Sequence, residues 1–168
     1  LTYFNPGPQD NPYLGLRGHR VYSYHPDIFI SQVRAILRAA TKTEHARILY
    51  PMIESIDQLN YVKNLFRQAV QSLVEDGVPF NSNVQQGLMI EVPSTAWRAG
   101  AFMNRVDFAC VGTNDLFQYF FAVDRNNANV LDYAAPEDPA ALSLLKSLEQ
   151  AAEQTRTSLT LCGEMASD

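Results

Sequence analysis

Polar residues that can do chemistry stand at the ends of apolar runs in this 168-residue sequence. Glu91 lies near the end of Gly87-Leu-Met-Ile-Glu-Val92, and Asn114 and Asp115 follow Val106-Asp-Phe-Ala-Cys-Val-Gly112. Cys162 and Glu164 fall at the end of Leu159-Thr-Leu-Cys-Gly163. A pair of protein carboxylates, here Glu91 and Asp115, suits Mg²⁺, which keeps waters and takes substrate oxygens in its remaining positions. On spacing alone a structural role is equally open: a buried ion pair for Glu91, a helix cap for Asp115. Arg17, Arg20, Arg47 and Arg125 are candidates for an anion clamp, because guanidinium meets carboxylate or phosphate through two parallel hydrogen bonds. Any of them alone also reads as an ordinary surface residue. Arg47 stands out by opening an apolar run, and Arg125 follows the Thr113–Asp115 turn closely enough to fold back over it. Cys162 is either a small hydrophobic filler or, at the mouth of a site, a proton donor; Cys110 reads as filler.

The histidines, His19, His25 and His45, form no ligand pair at helix or strand spacing and read as surface or capping residues. No glycine-rich phosphate loop of the P-loop or dinucleotide type is present.

The elements that position these groups alternate. Residues 27–40 carry Ile28, Ile30, Val33, Ile36, Leu37 and Ala40 at helical spacing, and Arg47 to Ile53 is a short run apolar on both faces, which predicts a buried strand. Ser55 stands three residues before Gln58, a capping-box pattern that opens a helix running to Gly77. Strand 87–92 is stopped by Pro93, Ser94 is placed to cap a short helix through Met103, and strand 106–112 follows. Asp138 before Pro139 predicts a capped helix to about Thr155, then strand 159–163. Residues 1–12, with Pro6, Gly7, Pro8 and Pro12, read as irregular.

Strands alternating with helices, without hairpin signals, imply parallel strands joined by helical crossovers. In such folds the strand C-termini form the ligand face, so the groups above can converge. Four strands do not close a barrel, which needs eight. The fold class is therefore α/β, an incomplete parallel (β/α) TIM-type barrel, read as one partial domain over 1–168. The sequence stops after a strand, at Gly163-Glu-Met-Ala-Ser-Asp168, which favours a cut-out of a larger barrel over a small open sheet.

Composition bounds the partners. With 46% hydrophobic and 18% charged residues the chain can bury a core. A net charge of −5 argues against a nucleic-acid surface, while converging arginines still permit an anionic small-molecule substrate. No stretch approaches a membrane span and no signal peptide opens the chain. Two cysteines form no disulfide framework, so the expected compartment is the cytoplasm.

Five stretches, in order and across nearly the whole chain, resemble the phosphoenolpyruvate-utilising family, and most closely enzyme I of the phosphotransferase system. They are Asn11-Pro-Tyr-Leu-Gly-Leu-Arg-Gly18, Arg47-Ile-Leu-Tyr-Pro-Met52, Gly87-Leu-Met-Ile-Glu-Val-Pro93, Val111 to Tyr119 with Ala122-Val-Asp-Arg125, and Leu161-Cys-Gly-Glu164. The resemblance implies a phosphoenolpyruvate-binding barrel, a dimer when intact, that passes a phosphoryl group to an enzyme histidine and on to a small histidine phosphocarrier protein, releasing pyruvate. It implies Mg²⁺ on Glu91 and Asp115, substrate contacts from Arg17, Arg47, Asn114 and Arg125, and Cys162 as the acid that protonates the enolate carbon. For Arg20 the resemblance leaves a substrate role and a structural role both open.

The family's phosphoryl-accepting histidine sits in a glycine-rich Ser-His-Thr context that is absent here, so the isolated stretch is expected not to phosphorylate a carrier. Gly15-Leu-Arg-Gly18, His25-Pro-Asp-Ile-Phe29 and Val123-Asp-Arg-Asn-Asn127 look more like the nitrogen-related branch than the sugar-transporting one. Rival readings are a phosphoenolpyruvate synthase or pyruvate phosphate dikinase domain, a non-catalytic phosphoenolpyruvate-sensing module, or a dimerising fragment.

Overall fold

Ser55 begins the longest helix as its sequence predicts: its side chain accepts from the Gln58 amide while the Gln58 side chain accepts from the Ser55 amide. The structure, a computed structural model, describes residues 7–43 and 45–167. Residues 1–6, half of the opening stretch expected to be irregular, and Asp168 lie outside the described residues.

The helices are α1 (His19–Tyr24), α2 (Pro26–Ala39), α3 (Ile56–Glu75), α4 (Pro93–Trp97), α5 (Ala99–Met103), α6 (Thr113–Phe120) and α7 (Pro139–Thr155). The strands are β1 (Arg47–Tyr50), β2 (Gln85–Ile90), β3 (Phe108–Gly112) and β4 (Ser158–Cys162). All pairings are parallel, in the order β1-β2-β3-β4. Consecutive strands are thus neighbours, each joined to the next by helical crossovers, as in a section of a parallel β/α barrel.

Strand side chains alternate between two different surroundings. Ile48, Tyr50, Leu88, Ile90, Ala109 and Val111 are buried beneath the helices. On the helix side, Phe29, Val33 and Leu37 of α2 and Leu59, Val62, Phe66, Ala69 and Leu73 of α3 complete that core. The other sheet face carries Leu49, Met89, Phe108 and Cys162, none fully buried, and exposed Thr160. It is the face that would line the inside of a barrel.

α7 starts at Asp138, whose carboxylate accepts from the Ala140 amide at 2.7 Å ahead of Pro139, and it buries Ala141, Leu148 and Ala152. Two helices were not legible. α1 is a single short turn segment, and α6 follows β3 without a loop, its first turn being the stretch read as a turn, Thr113 to Asp115. Ser94 does not cap α4; Val92 occupies that position, and the Ser94 hydroxyl donates to the Glu54 carbonyl. Among the described residues no helix is long and apolar enough to cross a membrane.

Candidate active site

Parallel pairing brings the C-terminal ends of all four strands to one rim, and most of the polar groups picked out above lie there. β1 ends in the Pro51-Met52 turn. Met52 has φ 57, a left-handed conformation unusual for a residue with a Cβ. Its amide donates to Glu91 Oε1 at 2.6 Å, so one carboxylate oxygen of Glu91 is fixed from the neighbouring strand end. Burial pushes the Glu91 carboxyl above its usual range against that hydrogen bond, and the nearby negative charge of Asp115 adds to the rise.

Gly112, the last residue of β3, lies beneath this group. A Cβ there would stand 3.0 Å from Glu91 Oε2 and 3.0 Å from Met89 Sδ, so the bare backbone leaves the space that Glu91 crosses. Cys162 pairs with Gly112 in the β3–β4 register. Its Sγ lies 3.2 Å from the Val111 carbonyl and 3.7 Å from Met89 Sδ. Burial pushes the thiol up to about 12, helped by the Cys110 thiol beside it and the Glu91 charge. It therefore keeps its proton at neutral pH.

Asp115, in the first turn of α6, is the hub. Arg17 reaches it across 98 residues of sequence, Nη1 to Oδ1 at 2.8 Å and Nη2 to Oδ2 at 3.2 Å. Arg125 Nη1 approaches the same Oδ1 at 3.6 Å. Tyr119, one helical turn after Asp115, sets its hydroxyl 3.5 Å from Asp115 Oδ1 and 3.4 Å from Arg17 Nη1, and donates to the Tyr13 carbonyl. Asn114 faces the other way, toward β4, where its Oδ1 accepts from the Glu164 amide at 3.0 Å. The Thr113 hydroxyl donates to the Cys162 carbonyl at 2.9 Å, so two α6 side chains hold the β4 end in place.

Six of the seven predicted site residues thus lie on this rim: Arg17, Glu91, Asn114, Asp115, Arg125 and Cys162. Arg47 does not. It opens β1, pairs with Gln85 at the start of β2, and rests its guanidinium over the Phe108 ring at 5.2 Å. At about 3.3 Å per residue, the four-residue strand puts it on the order of 10 Å from the rim. Arg47 thus stands at the opposite end of β1 from the rim where the other six gather. Arg20 is structural: it pairs with Glu54 at 2.6 Å and donates to the Leu14 carbonyl at 2.7 Å.

Sequence reasoning missed Tyr13, Tyr119 and Met52. Tyr119 had a signal, its i+4 spacing from Asp115, that only counts once 113–120 is read as a helix. Met52 had none, because its role rests on its amide. His19, read as a surface or capping residue, is instead buried in α1; its Nδ1 has no hydrogen-bond partner among the described residues, and burial lowers its basicity.

Glu91 and Asp115 fit a divalent cation by their chemistry. They are oxygen donors close enough for one to raise the other's proton affinity, and Glu91 Oε2 is not used in holding Met52. Among the described residues no group of three or more histidine, cysteine or acidic side chains could hold a metal, so the remaining positions would fall to water and substrate oxygens.

Fold and rim together define a class, the parallel β/α barrels with a charged polar site on the strand C-termini. Within it, the chain belongs to the PEP-utilising enzyme family, PEP-binding domain, which matches residues 1–168. It is 42% identical to the phosphoenolpyruvate-dependent phosphotransferase system protein of Salmonella typhimurium, over 98% of this chain and 22% of that protein. It is 37% identical to the phosphoenolpyruvate-protein phosphotransferase of Priestia megaterium, over 100% of this chain and 29% of that protein. Identity to the multiphosphoryl transfer protein of an Escherichia coli O6:H1 strain is also 37%, over 100% of this chain and 20% of that protein. The chain therefore spans about a fifth to a third of these relatives. In fold it is similar to a citrate lyase structure from Burkholderia xenovorans, with TM-score 0.59 and 18% identity over 79% of this chain and 40% of that one.

Proposed function

We propose that this chain is the substrate-binding part of a phosphoenolpyruvate-protein phosphotransferase, which moves the phosphoryl group of phosphoenolpyruvate to an enzyme histidine and then to a small histidine phosphocarrier protein, releasing pyruvate. The observation that carries the reading is the convergence of Arg17 and Arg125 on Asp115, beside Glu91 and Cys162. Phosphoryl transfer asks for positioned positive charge around three equatorial oxygens and little covalent chemistry from the barrel itself.

Arg17 and Arg125 bind and orient the phosphoryl and carboxylate groups by leaving Asp115 for the substrate. Asn114, whose Oδ1 is spent on the Glu164 amide, offers its Nδ2 as a donor. Glu91 and Asp115 would hold Mg²⁺, which when bound supplies neutralisation of charge on the phosphoryl and enolate oxygens. Cys162 holds a proton on Sγ and delivers it to the enolate carbon. A thiol with its pKa pushed up to about 12 does not lose that proton to solvent before the enolate forms.

The accepting histidine belongs elsewhere in the intact protein, since buried His19, His25 and His45 lack the glycine-rich surroundings expected of it. The intact protein is read as cytoplasmic from its two cysteines and as a homodimer from the family resemblance, and as of the nitrogen-related branch from the 15–18, 25–29 and 123–127 stretches. The test is to incubate it with labelled phosphoenolpyruvate, Mg²⁺ and a histidine phosphocarrier, without nucleotide. Label on the carrier that disappears in Arg125→Ala supports the proposal. Transfer only when AMP or ADP chemistry is supplied moves the assignment to the synthase and dikinase group, and binding without transfer leaves a sensor.

A further inference from the structure

Two guanidinium groups share one rim, and their like charges have to be held together. Asp115 does part of this, through the 2.8 Å contact to Arg17 and the 3.6 Å approach of Arg125. It cannot do so throughout, because a substrate anion claims the same donors. The second partner common to both arginines is the ring of Tyr13. Arg125 Cζ lies 4.4 Å and Arg17 Cζ 5.4 Å from its centroid, both within cation–π range.

The ring is itself tied down. Its hydroxyl accepts from Asn126 Nδ2 at 2.7 Å, and its backbone carbonyl accepts from the Tyr119 hydroxyl. Arg125 and Asn126 hydrogen-bonding the hydroxyl also hold it below the usual phenol range. Tyr13 thus joins three separate pieces of chain: the opening loop, α6, and the segment after α6. Its ring meets each arginine at Cζ, and its hydroxyl also takes a hydrogen bond from Arg125.

We infer that Tyr13 is a positioning residue for the anion site, a π platform that holds Arg17 and Arg125 in place when they turn from Asp115 to the substrate. The inference rests on the phosphoenolpyruvate reading above. A face-on contact leaves the N–H edges of a guanidinium free for bidentate pairing, which a carboxylate partner does not. The ring contact therefore competes with an anion less than the Asp115 carboxylate does.

The experiment uses the full-length protein and compares wild type, Tyr13→Leu and Tyr13→Phe, with phosphoenolpyruvate binding followed by calorimetry and turnover measured in parallel. Tyr13→Leu is expected to weaken binding and raise KM on the order of tenfold, with kcat within about twofold. Tyr13→Phe keeps both ring faces and is expected to stay within about threefold of wild type. A merely structural role would lower the folded fraction and the apparent kcat and leave KM alone. Unchanged KM in a folded Tyr13→Leu overturns the inference. So does a tenfold loss in Tyr13→Phe, which assigns the role to the hydroxyl and is readable even if the leucine variant does not fold. Failure of the wild type to bind phosphoenolpyruvate overturns the underlying reading instead, and the two failures are told apart by that first measurement.

Discussion

Replacing Gly163 by alanine tests how the β4 end is held to α6. Gly163 has φ 110, a region that side-chain-bearing residues rarely occupy, which costs an alanine about 1–3 kcal/mol. Its new Cβ would also fall 2.2 Å from Thr113 Oγ1 and 2.7 Å from Asn114 Oδ1. Both atoms are committed, Thr113 to the Cys162 carbonyl and Asn114 to the Glu164 amide, so at least one of those hydrogen bonds must open at about 0.5–1.5 kcal/mol. The total is roughly 1.5–4.5 kcal/mol, or about 3–18 °C in the melting of a domain of this size. Gly77→Ala is the control. Gly77 has φ 62 and nothing within 4 Å of its Cβ position, so it carries the backbone cost alone, about 1 kcal/mol. Calorimetry of the intact protein reads this domain's transition in both variants, and a titration reads phosphoenolpyruvate affinity. The expected order of damage is Gly163→Ala well beyond Gly77→Ala, with affinity lost only in the former. Equal melting of the two variants, with affinity intact, would refute the claim that the Thr113 and Asn114 contacts organise the site.

Glu91→Gln is expected to abolish Mg²⁺-dependent binding while raising the metal-free melting temperature at neutral pH. Glu91 is a carboxyl whose folded pKa is raised, so its penalty to the fold is fully present above that pKa and fades as pH falls toward the unfolded value of 4.5. The melting difference between variant and wild type should shrink between pH 7 and about pH 4.5; a difference that grows on acidification would contradict it. Cys162, with its thiol pushed up to about 12, is expected to react with iodoacetamide far more slowly at pH 8 than an ordinary thiol of pKa 9.0. Cys162→Ala should cut turnover at least about tenfold and leave phosphoenolpyruvate affinity within about threefold, as expected of a proton donor and not of a binding group. Arg47→Ala is expected to leave affinity unchanged and to cost about 0.5–1 kcal/mol of stability from the contact over Phe108. A tenfold loss of affinity would restore Arg47 to the site.

Much of this protein is written in short-range pattern. The alternation of strands and helices, the capping box at Ser55 and Gln58, the Asp138-Pro139 start of α7, and the rim positions of Glu91, Asp115 and Cys162 all follow from periodicity and from where polar residues end apolar runs. These are legible because hydrogen-bonding within an element depends on neighbours a few residues away. The tertiary structure decided what those neighbours cannot. It carried Arg17 across 98 positions to Asp115, and it left Arg47 at the far end of its strand. It gave Met52 its left-handed turn, and it brought Tyr13 under two guanidinium groups. Each of these depends on how separate pieces of chain pack against one another. A residue's type and spacing say what chemistry it can offer, and only packing settles which partners, at which end of the sheet, it meets.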